Sequence, residues 1–305
     1  MSINQCVRQK AQILFLLLMS TQAFAMDGSQ EIRCGAVGVT GRRDGMEDAH
    51  YFKQYDRWFF AGVYDGFAGD GVSKALARLD SGLHQKVLKN LEATSDYAVA
   101  ISTAFKEEDT EILESTCAYH LSWGATAAIV LIDQKTNELI CANVGDSEVV
   151  LISAAEQPKI LTTIHQPTDI HATDGRKIPL GLEEKARVEK SGGHVFFNRV
   201  QGALSISRAF GAKSLKPLMV ISEPAIRKVS LANHHRYVVI ACDGLWDVLS
   251  AEFVSDFILK EHAKETDPKV IACALVKTAL EKGSQDNVTA VVIILPHPKS
   301  NEQAQ

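Results

Sequence analysis

Short apolar runs bounded by glycine, proline and polar residues recur along the chain, and most of them have the length of β-strands. The clearest are RYVVIAC at 236–242 and VTAVVIIL at 288–295, continuous apolar runs of the kind found in buried strands. The pattern predicts strands at residues 33–40, 50–54, 58–64, 124–132, 138–144, 147–153, 158–163, 194–199, 224–230, 236–242 and 288–295.

Helical periodicity occupies the stretches between these groups of strands. Residues 95–119 place Ile101, Phe105 and Ile112 at helical spacing. Strands in groups and helices in pairs predict an α+β fold, in which helices cover antiparallel sheets. No repeat or linker divides residues 30–297, so we expect one domain. The predicted helices are 69–91, 95–119, 183–191, 251–263 and 267–281, with a long loop broken by prolines and glycines at 164–183.

The N-terminus has the layout of a secretory signal peptide. Arg8 and Lys10 precede an apolar run at 13–19, and Ala23-Phe24-Ala25 supplies small residues spaced as a cleavage site. The run is too short to span a membrane. We expect residues 1–25 to be removed, 26–297 to form the domain and 298–305 to be a flexible tail, in a secreted or periplasmic protein. If Met26 is the true start, the location is cytoplasmic instead.

The composition of the chain limits the classes of binding partner that need to be considered. The chain is 46% hydrophobic and 23% charged, as is ordinary for a soluble globular protein. Its formal net charge is −5 and its basic residues are scattered, so a nucleic-acid or anionic-membrane partner is not suggested. No cysteine-histidine pattern indicates zinc. Cleavage would leave an odd number of cysteines in largely apolar runs, which favours buried free thiols over disulfides: Cys34, Cys117, Cys141, Cys242 and Cys273.

Four acidic spots share one pattern, a carboxylate at the tip of an apolar strand beside a small or turn-forming residue. Strand ends from one sheet can converge, and converging carboxylates repel each other unless cations bind them. Ligand sets made only of oxygen suit Mg²⁺ or Mn²⁺. Each spot taken alone is more typical of an ordinary turn. The four spots are Glu47-Asp48, Asp65-Gly66, Asp243-Gly244 and Asp286-Asn287.

The ordered set of motifs resembles the metal-dependent protein phosphatases, the type-2C serine/threonine phosphatases. GRRDGMEDAH is similar to that family's G-x-R-x-x-M-E-D-A-H, and VYDGFAGDG to its V-F-D-G-H-G-G. SWGATAAIVLI, ANVGDSEVVLI, VQGALSISRAFGAK, VVIACDGLWDVLS and GSQDNVTAVVI follow in the family's order, so the resemblance covers residues 35–295.

This resemblance implies a four-layer α-β-β-α sandwich, in which helix pairs flank a central antiparallel β-sandwich. It also implies two Mg²⁺ or Mn²⁺ ions at one end of the sandwich. Asp65 would bridge the two ions. The remaining ligands would be Glu47 and the Gly66 carbonyl for one ion, and Asp243 and Asp286 for the other.

Three further residues gain roles from the resemblance. Asp48 would hold a water coordinated to metal, and Arg43 would bind the substrate phosphate, because a guanidinium can bond two phosphate oxygens at once. Asp146 matches an acid that helps to hold a third ion in some relatives, with a plain turn as the alternative. A water activated by the two ions would then attack phosphorus in line.

Phe67 is the main departure from the family pattern. It stands where the family has the histidine that protonates the leaving alkoxide, and loss of a general acid costs on the order of 10²–10⁴ in rate. Aryl phosphates should suffer less, because phenolates leave readily. His50 and His165 are possible substitutes, although structural or surface roles fit both better. Milder departures are Glu148 for the arginine of G-D-S-R and Ala212 for the aspartate of S-R-A-F-G-D.

Two hypotheses follow. We expect a monomeric Mg²⁺- or Mn²⁺-dependent phosphatase that acts on phosphorylated proteins, with reduced or altered activity. The alternative is a pseudophosphatase, a scaffold that binds metal or phosphopeptide without turnover. The enzyme is favoured because Phe67 removes a proton donor but leaves the predicted metal ligands and Arg43 in place.

Overall fold

A computed structural model describes residues 31–115, 120–168, 181–216, 219–261 and 267–296. The predicted signal peptide, Cys117, most of the 164–183 loop and the predicted tail lie outside the described residues. None of the helices in these ranges is both long enough and apolar enough to cross a membrane.

Two five-stranded antiparallel sheets form the centre of the fold. The first sheet has the order β1 (Arg33–Val39), β15 (Val288–Ile294), β14 (His235–Ala241), β8 (Glu148–Ser153) and β9 (Lys159–Ile160). The second has the order β13 (Ala225–Ser230), β7 (Glu138–Val144), β6 (Ala127–Asp133), β3 (Trp58–Tyr64) and β2 (Ala49–Gln54). The inner strands are buried on both faces, so they appear in the sequence as continuous apolar runs, whereas the edge strands β2, β9 and β13 are partly exposed.

Alternate residues of each strand enter different layers of the core. In β3, Phe59 and Val63 pack in the core between the sheets, where they join Leu151 of β8. Phe60, which lies between them in sequence, faces the helices that cover the second sheet. This two-residue alternation places one apolar layer between the sheets and one under each set of helices.

Helices cover both outer faces of the sandwich. Over the second sheet lie α1 (Gly71–Leu76), α2 (Leu83–Ala93) and α3 (Tyr97–Ser115). Over the first sheet lie α6 (Ala251–Glu261) and α7 (Pro268–Glu281). The architecture is therefore the predicted α+β sandwich with helices on both sides. Two more helices lie at the ends of the sandwich: α4 (Gly181–Lys190) and α5 (Asp243–Trp246).

Four predicted elements were wrong in extent. The strand predicted at 124–132 is two strands in different sheets, Gly124–Ala125 and Ala127–Asp133. The helix predicted at 69–91 is two helices, because a turn closed by the Gly82 N–H on the Arg78 carbonyl (2.9 Å) separates α1 from α2. The strand predicted at 158–163 pairs only over β9, so it is shorter. The strand predicted at 194–199 is a hairpin of β10 (Val195–Phe196) and β11 (Arg199–Val200).

A small sheet that the sequence did not predict lies beside the sandwich. It has the order β12 (Phe210–Gly211), β5 (Gly124–Ala125) and β4 (Gly66–Phe67). Phe67 also packs against a separate small apolar core near α4, so β4 joins two parts of the molecule. The members of this small core are Val188, Val200, Ile206, Ala209, Ala212 and Val220.

The described cysteines are all free thiols, as predicted. Cys141 and Cys242 are buried, whereas Cys34 and Cys273 are partly buried.

Candidate active site

The acidic residues predicted from strand ends meet at one edge of the first sheet. Ala241 near the end of β14 pairs with Glu148 at the start of β8 and with Ala290 near the start of β15. Asp243 leaves β14 at this edge and opens α5, and Asp286 precedes β15. The register of the sheet therefore brings together residues that are far apart in sequence.

The second sheet supplies two more carboxylates to the same edge. Asp65 lies between β3 and β4, and its carbonyl accepts a hydrogen bond from the Thr126 N–H (2.9 Å). Asp146 lies in the turn between β7 and β8, is 8% exposed and accepts a hydrogen bond from Gln166 Nε2 (2.8 Å). Hydrogen bonds within the chain therefore fix the backbone of Asp65 and the side chain of Asp146.

The electrostatics of this group oppose ionisation. Burial raises the pKa of Asp65 well above its ordinary value, and the charges of Asp243, Asp48 and Asp146 act in the same direction. Burial likewise raises the pKa of Asp243, assisted by Asp146. Like charges brought together in a low-dielectric site need either protons or cations. The group has the electrostatics of a cation-binding site.

The surroundings of Asp48 indicate whether a divalent metal ion would fit among these acids. It is 6% exposed, and both of its carboxylate oxygens are buried without a hydrogen-bond partner among the described residues. Burial raises the pKa of Asp48 to about 6, although the neighbouring side chains of Thr289, Cys242 and Asp65 act in the opposite direction. Its ligand atoms lie within 4.8 Å of those of Asp65 and Cys242. Unpartnered buried oxygens among other carboxylates fit a hard cation such as Mg²⁺ or Mn²⁺.

Backbone packing places the Gly66 carbonyl and Glu47 beside these acids. A side chain at Gly66 would collide with the Glu47 carbonyl, so the two backbone segments can approach each other only because residue 66 is glycine. Ser73 Oγ donates to that same Glu47 carbonyl. Asn287 Oδ1 accepts from the Glu47 N–H (2.7 Å), which ties the Glu47 loop to the start of β15.

Arg43 reaches the site from its rim. Its Nη2 lies 2.6 Å from Asp286 Oδ2, and the two side chains are 56% and 34% exposed. The predicted phosphate-binding arginine is thus at the mouth of the acidic group, paired with a predicted metal ligand. A guanidinium in this place can meet a phosphate that enters from solvent.

A cleft of about 460 Å³ opens over these residues. Its polar lining includes the acids and Arg43. Its apolar lining, which we call the apolar wall, is Phe67, Ala203, Leu204, Ile206 and Leu215, and all of these except Ala203 belong to or pack against the small apolar core near α4. Asp48 lies beneath the cleft rather than on its surface. The further lining residues are Glu47, Asp65, Gly66, Ala68, Ser122, Thr126, Asp146, Arg199, Ser205, Ser214, Asp243 and Asp286.

Several residues in or near the cleft were not predicted from the sequence. Asp247 follows Asp243 by four residues, one helical turn, and its N–H bonds to the Asp243 carbonyl (2.8 Å). Burial raises the pKa of Asp247 to about 6, and Asp146 adds to the shift, so Asp247 belongs to the same acidic group. Its spacing from Asp243 was the available signal. Arg199 and the lining serines come from separate loops and carried no such signal.

Neither histidine considered as a substitute acid lines the cleft. His50 lies on β2 opposite Val63. His165 is fully buried and holds its place through backbone bonds to Gly145 and Ser207. Burial lowers the pKa of His165 to about 3, so its ring is neutral.

A second group with metal-ligand chemistry lies at the opposite end of the first sheet. Ligand atoms of Glu156, His234 and His235 lie within 4.8 Å of one another. The Ala232 N–H donates to His235 Nδ1 (2.9 Å), so neutral His235 carries its proton on Nε2. That arrangement leaves His235 without a free lone pair for a metal.

Comparison with known proteins decides the family. The sequence profile described as Protein phosphatase 2C matches residues 32–288, most of the chain. The chain belongs to the protein phosphatase 2C family. The resemblance drawn from the motifs is thereby confirmed.

Relatives and solved structures agree with this assignment. The chain is 33% identical over 275 residues to "Probable protein phosphatase 2C 52" of Oryza sativa subsp. japonica, covering 88% of this chain and 51% of that protein. It is 34% identical over 277 residues to "Probable protein phosphatase 2C member 13, mitochondrial" of the same organism, covering 88% and 70%. The chain thus spans about half the length of the first relative.

The fold agrees as well. The crystal structure of serine-threonine phosphatase 2C from Toxoplasma gondii matches with a TM-score of 0.71 at 22% identity, covering 88% of this chain and 96% of that one. This similarity confirms the protein phosphatase 2C fold.

Departures from the family motifs can now be placed in the structure. Glu148 is buried at the start of β8, and Ala212 adopts left-handed backbone (φ 51°) just after β12. Phe67 is half-buried in the cleft wall, next to the predicted metal ligand Gly66. Only Phe67 lies in the cleft itself.

Proposed function

We propose that the protein is a Mg²⁺- or Mn²⁺-dependent phosphoprotein phosphatase whose turnover of phosphoserine and phosphothreonine is reduced by Phe67. One observation carries this proposal. Carboxylates from separate strands converge in the lining of one cleft, where burial and the charges of neighbouring acids both raise the pKa values of Asp65 and Asp243. A protein phosphatase 2C fold with such a group has the parts that metal-assisted phosphate hydrolysis requires.

The proposed ligands follow the positions of the acids. Bound divalent cations would supply positive charge that lowers the pKa of water and neutralises the phosphoryl group. Asp48 would orient a water beneath the cleft by accepting a hydrogen bond from it, and Arg43 would bind phosphate oxygens at the mouth. Glu47 and the Gly66 carbonyl would hold one cation and Asp243 and Asp286 the other, with Asp65 shared and Asp146 available to a third.

Phe67 also supports the alternative, a pseudophosphatase that binds metal or phosphopeptide without turnover. A benzyl side chain offers no proton to a departing alkoxide. The nucleophilic side of the site does not depend on Phe67, however, because the acids and Arg43 come from other segments. We therefore favour a slow or selective enzyme over a scaffold.

Hydrolysis of 4-nitrophenyl phosphate in millimolar Mn²⁺ tests the proposal, with Asp243→Asn as the matched control. We expect the wild-type rate to depend on Mn²⁺, and the variant to lose at least about 10²–10³-fold in kcat/KM. Mn²⁺ binding measured by calorimetry should weaken in the same variant. Binding of Mn²⁺ to wild type without hydrolysis above the variant's rate would support the pseudophosphatase instead.

A further inference from the structure

Phe67 is fixed in the cleft wall by packing on two sides. It pairs with Gly124 across β4 and β5, and a side chain at Gly124 would collide with the end of the Phe67 ring. The ring also packs against the small apolar core near α4, which contains Ile206 and Val200. Phe67 is therefore a rigid surface of the cleft rather than a mobile cover.

The apolar wall lies next to the site of phosphate chemistry. Phe67 directly follows Gly66, whose carbonyl is a predicted metal ligand, and Leu204, Ile206 and Leu215 continue the wall. The ester group of a phosphate that reaches Arg43 and the acids can therefore contact this wall. An aromatic ester group can pack against Phe67, whereas the short alkyl carbons of serine or threonine reach less of it.

The described cleft also lacks a suitable proton donor for the leaving oxygen. Its lining side chains include no histidine, cysteine, tyrosine or lysine within the described residues. Ser122, Ser205 and Ser214 are alcohols, too weakly acidic to protonate an alkoxide usefully, and arginine keeps its proton. The carboxyl groups would be ionised while they hold cations.

A leaving oxygen in this cleft must therefore depart as an anion. As water oxygen bonds to phosphorus, the phosphorus–oxygen ester bond breaks and its electron pair leaves on the ester oxygen. The attacking water gives its proton to solvent, and the departed anion takes one from solvent. A phenol such as tyrosine has a pKa of about 10 and departs readily as phenolate, whereas an aliphatic alkoxide is far more basic.

We infer that this cleft selects phosphate monoesters of phenols, whether phosphotyrosine in a peptide or a small aryl phosphate, over those of aliphatic alcohols. This inference rests on the proposed function and assigns its substrate class. Phe67 determines the selectivity in two ways, because it removes the proton donor and supplies an aromatic contact surface.

Two peptides that differ only in the phosphorylated residue, phosphotyrosine in one and phosphothreonine in the other, test the selectivity in the presence of Mn²⁺. We expect wild-type kcat/KM to favour phosphotyrosine by about 10²-fold or more. Phe67→His should raise kcat on phosphothreonine by about 10²–10⁴-fold while changing phosphotyrosine much less. Phe67→Leu, which is apolar but not aromatic, should raise KM for phosphotyrosine several-fold with little gain on phosphothreonine. Circular dichroism and thermal melting check that both variants fold.

A series of aryl phosphates with increasing leaving-group pKa gives a readout that needs no variant. In wild type, kcat/KM should fall steeply as the leaving-group pKa rises, and Phe67→His should flatten this dependence. Hydrolysis of the small esters but not of the phosphotyrosine peptide would identify small aryl phosphates, rather than phosphotyrosine in peptides, as the substrates of this cleft. Equal rates on both peptides, or a flat wild-type series, would overturn the inference alone. Absence of Mn²⁺-dependent hydrolysis of every ester would overturn the proposed function as well.

Discussion

Two groups of buried carboxylates in this molecule have opposite electrostatics. Glu184 on α4 is 2% exposed and accepts hydrogen bonds from Arg208 (2.6 Å), Arg187 (2.9 Å) and Ser207 (2.6 Å). Burial opposes its ionisation, but these bonds outweigh burial and lower the pKa of Glu184 to about 2. Asp65 has the opposite shift, because its close neighbours are other acids.

The difference separates a structural carboxylate from a ligand-binding one. Glu184 already has its cations within the chain, so it joins α4 to the segment that carries Ser207 and Arg208. Asp65 and Asp243 have no such cations among the described residues, so we expect their ionised form to be favourable only with a partner from solution. The sign of a buried carboxylate's pKa shift thus indicates which of the two roles it can fill.

The largest effect on stability is expected for Glu184→Gln. This change keeps the shape of the side chain but leaves two partly buried arginines, Arg187 and Arg208, without their counter-charge. Breaking a buried pair costs about 3–5 kcal/mol, and we expect about 3 kcal/mol here because the arginines are partly exposed. Urea unfolding of the metal-free protein measures it. The matched change Asp243→Asn should instead raise the free energy of unfolding, because it removes a repelling charge. Destabilisation by both changes would contradict the comparison.

A second expected effect is that the two groups of carboxylates contribute to stability with different pH dependences. The pKa of Glu184 is lowered, so its contribution to the free energy of unfolding is present at pH values above the ordinary pKa of glutamate. That contribution is lost as the pH falls toward about 2. The folded pKa of Asp48 is raised to about 6, so in the metal-free protein its contribution is lost as pH rises through about 6. Stabilisation by Mn²⁺ should therefore grow from pH 5 to pH 7, because cations replace protons.

The increase in stabilisation by Mn²⁺ is measured by comparing melting temperatures in Mn²⁺ and in EDTA from pH 5 to pH 7. The stability difference between wild type and Glu184→Gln serves as the control and should stay constant over the same range. A stabilisation by Mn²⁺ that is equal at both ends of the range would show that the acids do not bind the cation as carboxylates.

The smallest effect on stability is expected for Arg43→Gln. Its ion pair with Asp286 is largely exposed, and exposed pairs contribute about 0–1 kcal/mol. Activity on 4-nitrophenyl phosphate should nonetheless fall about 10²–10³-fold, because the phosphate loses a charged donor. Arg42→Gln is the matched control, since Arg42 bonds Gln285 at the surface (3.0 Å) and should change neither quantity much. Equal losses of activity in both variants would place phosphate binding elsewhere.

Much of the fold could be predicted because buried strands have a strong local signal. The strands predicted at 58–64 and 138–144 agree with β3 and β7 residue for residue. The four acidic spots could be predicted for the same reason, since each lies where such a strand starts or ends. The structure brings them together, and their roles as metal ligands stay predictions.

The remainder depended on information that is not local. The turn of the β10–β11 hairpin uses Phe197 and Asn198 with positive φ (53° and 59°), and phenylalanine gives no sign of such a turn. The strands of the small sheet are two residues long, too short for any periodicity. The apolar wall combines β4 with distant loops, so only the folded chain shows that Phe67 and Leu215 face one cleft.

The position of β15 has a consequence for folding. This strand lies between β1 and β14 in the first sheet, so residues 288–294 complete pairings with strands that begin more than 50 and 250 residues earlier. During synthesis, β1 has no partner until nearly the whole described chain has been made, and such long-range closure is slow. Asp286 and Asn287 arrive with the same strand. The acidic centre is therefore assembled in the same late step that closes the sheet, and a nascent chain that stops short of β15 lacks part of the proposed metal site.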